Sequence, residues 1–290
     1  MKVLITGANG QLGRELVKQL EEINKSMNQL KYSILATTRN DLDISNQTNV
    51  DNFILYNKPD IVINCASYTK VDECESHIDV AYKINALGAR NIAIASEKVN
   101  ANLVHISTDY VFNGLSKCPY KEDDKTESIS VYGKSKLMGE RFVEQFSNKY
   151  FIFRTAWLYG DGNNFVKTMI KLSEENKEVN VVDDQFGSPT STVDLTRVII
   201  KLMETKNYGV YHATCEGECS WYDFAKNIFE LKNIDIKVNR IKSKDFKSKV
   251  QRPQYSVLDN FMLKLIGLNS FRKWEESIEE YLKEYDINTR

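Results

Sequence analysis

The sequence of 290 residues has little of several things that would narrow its class at once. It has no surplus of charge. Its 39 Lys and Arg against 40 Asp and Glu leave −1 at neutral pH, no field to gather nucleic acid or anionic lipid, so neither is expected as a partner. It has no long apolar run. Nothing approaches the ~20 residues of a membrane span. The apolar stretch at the N-terminus is only Val3, Leu4 and Ile5, too short for the core of a secretory signal. Cysteine is sparse and odd in number, five in all with no framework spacing, which suits a reducing cytoplasm and excludes a disulfide scaffold. Cys215 and Cys219 lie near His212, but they form no C-x2-C pair and no second pair follows, so no metal centre is expected. Internal repeats and low-complexity tracts are lacking too.

What is present is an ordinary globular composition, 42% hydrophobic and 27% charged, in a chain long enough for one large domain or two smaller ones. A chain of this size buries roughly 75% of its unfolded surface and needs no staples. Its first half alternates short apolar runs with amphipathic ones. Strands are expected at 3–6, 33–38, in "PDIVINCAS", in "ANLVHIST" and in "YFIFRTAWLYG". Helices are expected at 11–22, 50–57, 78–98 and in "ISVYGKSKLMGERFVEQF". Apolar strands separated by helices indicate an α/β fold, a doubly wound parallel sheet covered on both faces. Beyond about residue 160 the rhythm loosens. Residues 1–160 are read as a dinucleotide-binding domain and 161–290 as a smaller C-terminal substrate lobe, with some segments returning to the sheet. "DQFGSPTS" and "SKDFKSKVQRPQ" read as loops.

The first strand–helix seam carries Gly7, Gly10 and Gly13 in "GANGQLG". Glycines there let the chain turn tightly, let a pyrophosphate approach the backbone and let the helix pack close to the sheet. Free N–H groups and the helix dipole then hold the phosphates. At the tip of the second strand, "ATTRNDLD" places Arg39, which favours the 2′-phosphate of NADP(H); Asp41 and Asp43 follow closely and leave NAD(H) open.

"VYGKSK" places Tyr132 and Lys136 four apart, on one face of a helix. A carbonyl reductase needs a proton donor for the oxygen that becomes an alkoxide. A phenol serves once a nearby cation tempers its pKa of ~10. The spacing recurs at Tyr222 and Lys226, but context separates the two. Thr108 stands 24 residues before Tyr132, at the C-terminal end of a strand where α/β sheets place ligand contacts. The residue at that separation from Tyr222 is Val198, inside a helix, so Tyr222 is read as packing.

"GANGQLG", "NCASYTKVD", "STDYVF", "YGKSK", "RTAWLYG", "DQFGSPT" and "RPQYSVLDN" together resemble the extended short-chain dehydrogenase/reductases, and within them the dTDP-4-dehydrorhamnose reductase family. The match runs in order to about residue 260. The resemblance implies a Rossmann-type fold and NAD(P)H-dependent reduction of the C4 ketone of a nucleotide sugar. It makes Tyr132 the proton donor, Lys136 its partner and Thr108 the hydroxyl that orients the carbonyl. It assigns Gly7, Asn9, Gly10, Gln11, Leu12 and Gly13 to the phosphate loop, Asp43 and Ile44 to the adenine, and Cys65, Ala66 and Ser67 to the cofactor beyond the third strand. Asp109, Trp157 and Arg252 would face the substrate, and Asn85 would hold a relay water by its backbone. Trp157 has the alternative of filling the core, Asp109 of capping a turn, and Asn85 of lying on the helix surface as a plain polar residue. His105 is read as core. The run Lys242, Lys244, Lys247, Lys249 and Arg252 is read either as a solvated loop or as meeting a nucleotide diphosphate. Some relatives are Mg²⁺-assisted dimers, which leaves Mg²⁺ and a homodimer open here.

Three rivals remain. A 4,6-dehydratase of this superfamily has Asp-Glu after the threonine, whereas Asp109 is followed by Tyr110. A 4-epimerase would share the glycine loop and the Tyr–Lys pair but keep its cofactor through the cycle. A non-catalytic regulatory subunit could retain the fold, against which the intact Thr108, Tyr132 and Lys136 count.

Overall fold

The computed structural model describes residues 1–27, 29–246 and 250–289. Its centre is a parallel sheet built from β1 (Lys2–Thr6), β2 (Ser33–Thr37), β3 (Ile61–Asn64), β4 (Asn102–Thr108), β5 (Tyr150–Thr155) and the strand Gly209–His212. The spatial order is Gly209–His212, β5, β4, β3, β1, β2, every neighbour parallel. The order reverses beside β1, the crevice where such sheets bind ligands.

Side-chain alternation along each strand builds two cores. Val3, Ile5, Ile61, Ile63, Val104, Phe151 and Phe153 point to one face, where Leu12, Leu16 and Leu20 of helix α1 (Gln11–Ser26) and Leu195, Val198 and Ile199 of the helix Thr192–Met203 meet them. Leu4, Val62, Leu103 and Ile152 point to the other. There they meet Val50 and Ile54 of α2 (Gln47–Asn57), Ile92 and Ala93 of the helix Ala89–Lys98, and Val143 of the helix Val131–Phe146. Burial on both faces is why the strands read as unbroken apolar runs.

The second half adds a smaller layer. Glu178–Val182 pairs in parallel with Lys237–Ile241, and the helices Phe165–Glu175 and Trp221–Leu231 cover the pair. Thr192–Met203 and Gly209–His212 return to the central sheet. Among the described residues, no helix is long and apolar enough to cross a membrane.

Four local features differ from the sequence reading. The expected helix 78–98 is interrupted by a π-helical segment, Lys83–Gly88, that brings Asn85 between two neighbouring elements. The expected strand 150–160 splits, because Trp157 adopts a left-handed φ of 47° and redirects the chain before Leu158–Tyr159. "DQFGSPTS" is not purely loop: Phe186–Gly187 and Thr190–Ser191 are short strands. Glu178–Val182 was unforeseen, although exposed Glu178 and Asn180 alternate with buried Val179 and Val181. Of the basic run, Lys242 pairs with Asp183 at 2.9 Å, whereas Lys247 and Lys249 lie outside the described residues.

Candidate active site

The phosphate loop turns where a side chain does not fit. Gly7 has φ +65°, and a Cβ there would lie 2.8 Å from the Ala66 nitrogen. A Cβ on Gly13 would lie 2.4 Å from the Gly7 carbonyl oxygen, so the helix that follows seats directly on the turn. Gly10 caps α1 without a side-chain hydrogen bond, and the first turn holds no acidic residue. The leading N–H groups of such a helix, here those of Gln11 and Leu12, have no intrahelical carbonyl to donate to, which makes this end a candidate anion site. Asn9 lends its carbonyl to Arg14 at 2.8 Å, which braces the loop from outside. A turn this tight, ending on bare amides, fits a dinucleotide pyrophosphate.

The remaining cofactor candidates lie along the same edge. Arg39 is exposed, with Nε 4.0 Å from Asp43 Oδ2. Burial tends to raise Asp43, but hydrogen bonds from Ser45 and the neighbouring Arg39 bring it below the usual carboxylate range. The Ile44 side chain is core, pressed on Gly88, and its carbonyl accepts from Asn91 at 3.0 Å. Ser67 donates to Asn85 Oδ1 at 2.9 Å. Asn85 is neither a surface residue nor unpaired. It also accepts from the Tyr68 amide at 2.8 Å and donates to Ser135 Oγ at 3.0 Å, joining the loop after β3 to the Val131–Phe146 helix.

That helix starts at Ser130, whose hydroxyl caps the Gly133 amide, and it packs against the carboxyl end of β4. A Cβ on Gly133 would lie 2.1 Å from the Tyr110 carbonyl oxygen and one on Gly139 2.3 Å from that of Asn85. These two glycines let the helix sit close, which brings Tyr132, Lys136 and Thr108 together. Burial raises the Tyr132 phenol, against a hydrogen bond with Thr108. Thr108 donates to Asp109 Oδ1 at 2.9 Å. Burial lifts Asp109 to about 6, against hydrogen bonds from Ser256 and Thr108. Burial likewise brings Lys136 down to about 8, opposed by Glu140 and by Cys65. The Lys136 ammonium donates to the Ile106 carbonyl at 2.5 Å. Cys65 lies beside Gly7 through its backbone, and its thiol lies near Lys136, so one residue connects the phosphate loop to the Tyr–Lys face.

On the far wall, Trp157 stands two residues beyond Thr155, the partner of Thr108 in register. It is half-buried, stacked on Trp221 and abutted by Gly187. Arg252 reaches the site from the C-terminal side. It pairs with Asp72 at 3.0 Å and lies near Tyr110, whose ring meets that of Tyr132 edge-on at 5.4 Å. Between Trp221 and Arg252 opens a cleft of about 570 Å³ walled by Phe165, Leu172 and Phe246. Tyr222 lies elsewhere, under the Arg240 guanidinium, and Lys226 pairs with Glu230. His105 is buried in β4 beside Asn64, and His212 is buried against the Tyr120 carbonyl.

Sequence reading gave no role to Tyr110, Asp72 and Ser256, although they stand inside the motifs "STDYVF", "NCASYTKVD" and "RPQYSVLDN", and it overlooked Trp221, which lies in none of them. It also overlooked Glu140, although Glu140 follows Lys136 by one further helical turn.

The molecule is similar throughout its length to known proteins. The dTDP-4-dehydrorhamnose reductase of Clostridium acetobutylicum superposes with a TM-score of 0.95 at 52% identity, covering 99% of this chain and 100% of that one. The dTDP-4-dehydrorhamnose reductase of Bacillus anthracis, solved in complex with NADP, gives 0.93 at 47% identity over 98% and 99%. The spore coat polysaccharide biosynthesis protein SpsK of Bacillus subtilis is 43% identical over 98% of this chain and 97% of its own. The family model described as the RmlD substrate binding domain matches residues 1–287, and the chain belongs to that family, on an extended short-chain dehydrogenase/reductase fold.

Proposed function

We propose that this chain reduces the C4 ketone of dTDP-4-dehydro-β-L-rhamnose to dTDP-β-L-rhamnose with NADP(H) as the favoured cofactor. The observation that carries the reading is the meeting of Thr108, Tyr132 and Lys136 at the carboxyl end of β4, joined through Cys65 to the glycine loop. The names of the relatives from Clostridium and Bacillus anthracis, and the NADP in the latter, support the substrate and the cofactor.

Residues 1–160 hold the cofactor, the glycine loop taking its pyrophosphate, Arg39 the ribose phosphate and Lys136 the nicotinamide ribose. When bound, the dihydronicotinamide supplies the hydride. Thr108 orients the ketone oxygen toward Tyr132. Burial keeps Tyr132 a neutral phenol at neutral pH, which is the state a donor needs. An alkoxide is a stronger base than a phenolate, so the proton moves from Tyr132 Oη to the substrate oxygen as charge develops there. Lys136, charged below about 8, stabilises the phenolate left behind. Asp109 and Trp157 hold the sugar ring. Arg252 and the cleft beside Trp221 take the nucleotide diphosphate, where a guanidinium matches phosphate geometry and an indole offers a stacking face.

The test is to offer NADPH with enzymatically generated dTDP-4-dehydrorhamnose, follow cofactor oxidation and identify the product sugar by NMR. Cofactor oxidation with formation of the rhamno product, rather than its C4 epimer, supports the reading. No oxidation with this substrate, but turnover of another 4-keto sugar nucleotide, would reassign the substrate. No turnover with any of them would favour the regulatory-subunit reading.

A further inference from the structure

Beneath the Tyr132–Lys136 face lies a buried ion pair that the mechanism above does not use. Arg154 on β5 donates to Glu140 through Nη2 at 2.8 Å and through Nε at 3.1 and 3.2 Å to its two carboxylate oxygens. Both side chains are almost wholly enclosed, 6% and 3% exposed. The Ser107 hydroxyl donates to the same carboxylate. Ser107 follows Ile106, the residue whose carbonyl receives the Lys136 ammonium, and precedes Thr108. Three consecutive residues of β4 thus serve Lys136, Glu140 and Tyr132 in turn.

The charges make the arrangement more than a brace. Lys136 and Arg154 are two enclosed cations, each costly to hold in a low-dielectric interior. Glu140 lies between them, one turn from Lys136 on its own helix and in contact with Arg154 across the sheet. The other titratable groups about Lys136 are Cys65 after β3, His105 on β4 and Tyr132 on its own helix. Burial disfavours the charged form of all three, which are neutral at neutral pH. Asp109 lies beyond Thr108, against Tyr132, and Glu144 a turn past Glu140.

We propose that Glu140 is a positioning residue for the reducing couple, its carboxylate, clamped by Arg154 and Ser107, acting as the buried counter-charge that keeps Lys136 an ammonium. The proposal rests on the reading of Tyr132 and Lys136 as that couple. It also gives Arg154 a defined task, to hold the carboxylate in place while sharing its charge.

The test reads Lys136 directly, in the enzyme without substrate, by NMR titration of protein carrying ¹³C at the lysine ε-carbon, with the Lys136 signal assigned by its loss in Lys136→Met. In the wild type it is expected to titrate near 8. Glu140→Gln removes the counter-charge and leaves the buried Arg154 charge uncompensated in the same interior, so the titration moves down by about one pH unit or more. Adding Arg154→Gln removes the opposing cation and brings the value back toward the wild type. A purely structural role predicts the opposite ordering, the double variant being the more disturbed. Should Glu140→Gln not fold, Glu140→Asp decides, since it retracts the charge by one methylene and lowers the titration by less. A Lys136 that titrates with the wild type in folded Glu140→Gln, or in Glu140→Asp where that variant decides, overturns the proposal. So does a double variant displaced further than the single one. Absence of ketone turnover in the wild type would instead remove the functional reading, and the titration reports independently of it.

Discussion

Trp157 lies flat on Trp221, ring centroids 3.4 Å apart and planes 7° from parallel. Phe165 supports it from below at 4.5 Å from Trp221. The contact joins the end of the central sheet to the smaller layer, so this wall depends on how the two halves of the chain meet.

Gly187 borders that stack, and a Cβ there would lie 2.5 Å from Trp157 Cε2. Gly187→Ala therefore displaces the indole. Steady-state kinetics are expected to show KM for the sugar nucleotide up by about tenfold, with affinity for NADPH unchanged. An unaltered KM would take Trp157 out of the substrate wall.

Tyr132→Phe keeps the ring and its edge-on contact with Tyr110 and removes the hydroxyl that carries the proton. The expected loss is ~10²–10⁴ in kcat, with NADPH binding, followed by fluorescence, unchanged. Activity within threefold of the wild type would remove Tyr132 from the mechanism.

The pH profile carries the signature of Lys136. Its folded value of about 8 lies below the unfolded lysine value, so the ammonium is present at neutral pH and lost as pH rises through 8. kcat/KM is expected to fall on that limb. Folding stability moves the other way. Between about 8 and the unfolded value near 10.4 the unfolded chain binds more protons, so Lys136 contributes rising stability with pH over that window. Urea titrations across it measure the slope, and an alkaline limb of kcat/KM that begins only near 10 would contradict the assignment.

Arg39 is exposed and its nearest carboxylate, Asp43, is 4.0 Å away, so its guanidinium can turn to a ribose phosphate with little to give up. Arg39→Ala is expected to weaken NADPH by about tenfold and NADH by far less, measured as two dissociation constants. Equal losses would assign Arg39 to the surface.

Much of the site was legible because its signals are local. A glycine is required at Gly7 by φ and at Gly13 by a clash with a carbonyl six residues earlier, and both constraints lie within one turn. Tyr132 and Lys136 share a helix face by spacing alone. The tip of β4 announces Thr108, since its apolar run ends there. What was hidden comes from chain segments far apart in sequence. Asp72 finds Arg252 across 180 residues and Trp157 finds Trp221 across the lobe junction, pairings that no periodicity encodes. The π-helical segment was hidden for another reason, its composition being that of an ordinary helix.

Read alone, the residues of this protein determined the parallel α/β sheet, the tight glycine turn and the helix face shared by Tyr132 and Lys136, because strand burial, glycine sterics and helical spacing act over a few residues. Only tertiary structure decided which charge lies under Lys136, which indole stands behind Trp157 and where Arg252 is held. Those outcomes depend on electrostatic and packing energies between surfaces that the chain brings together only once it is folded.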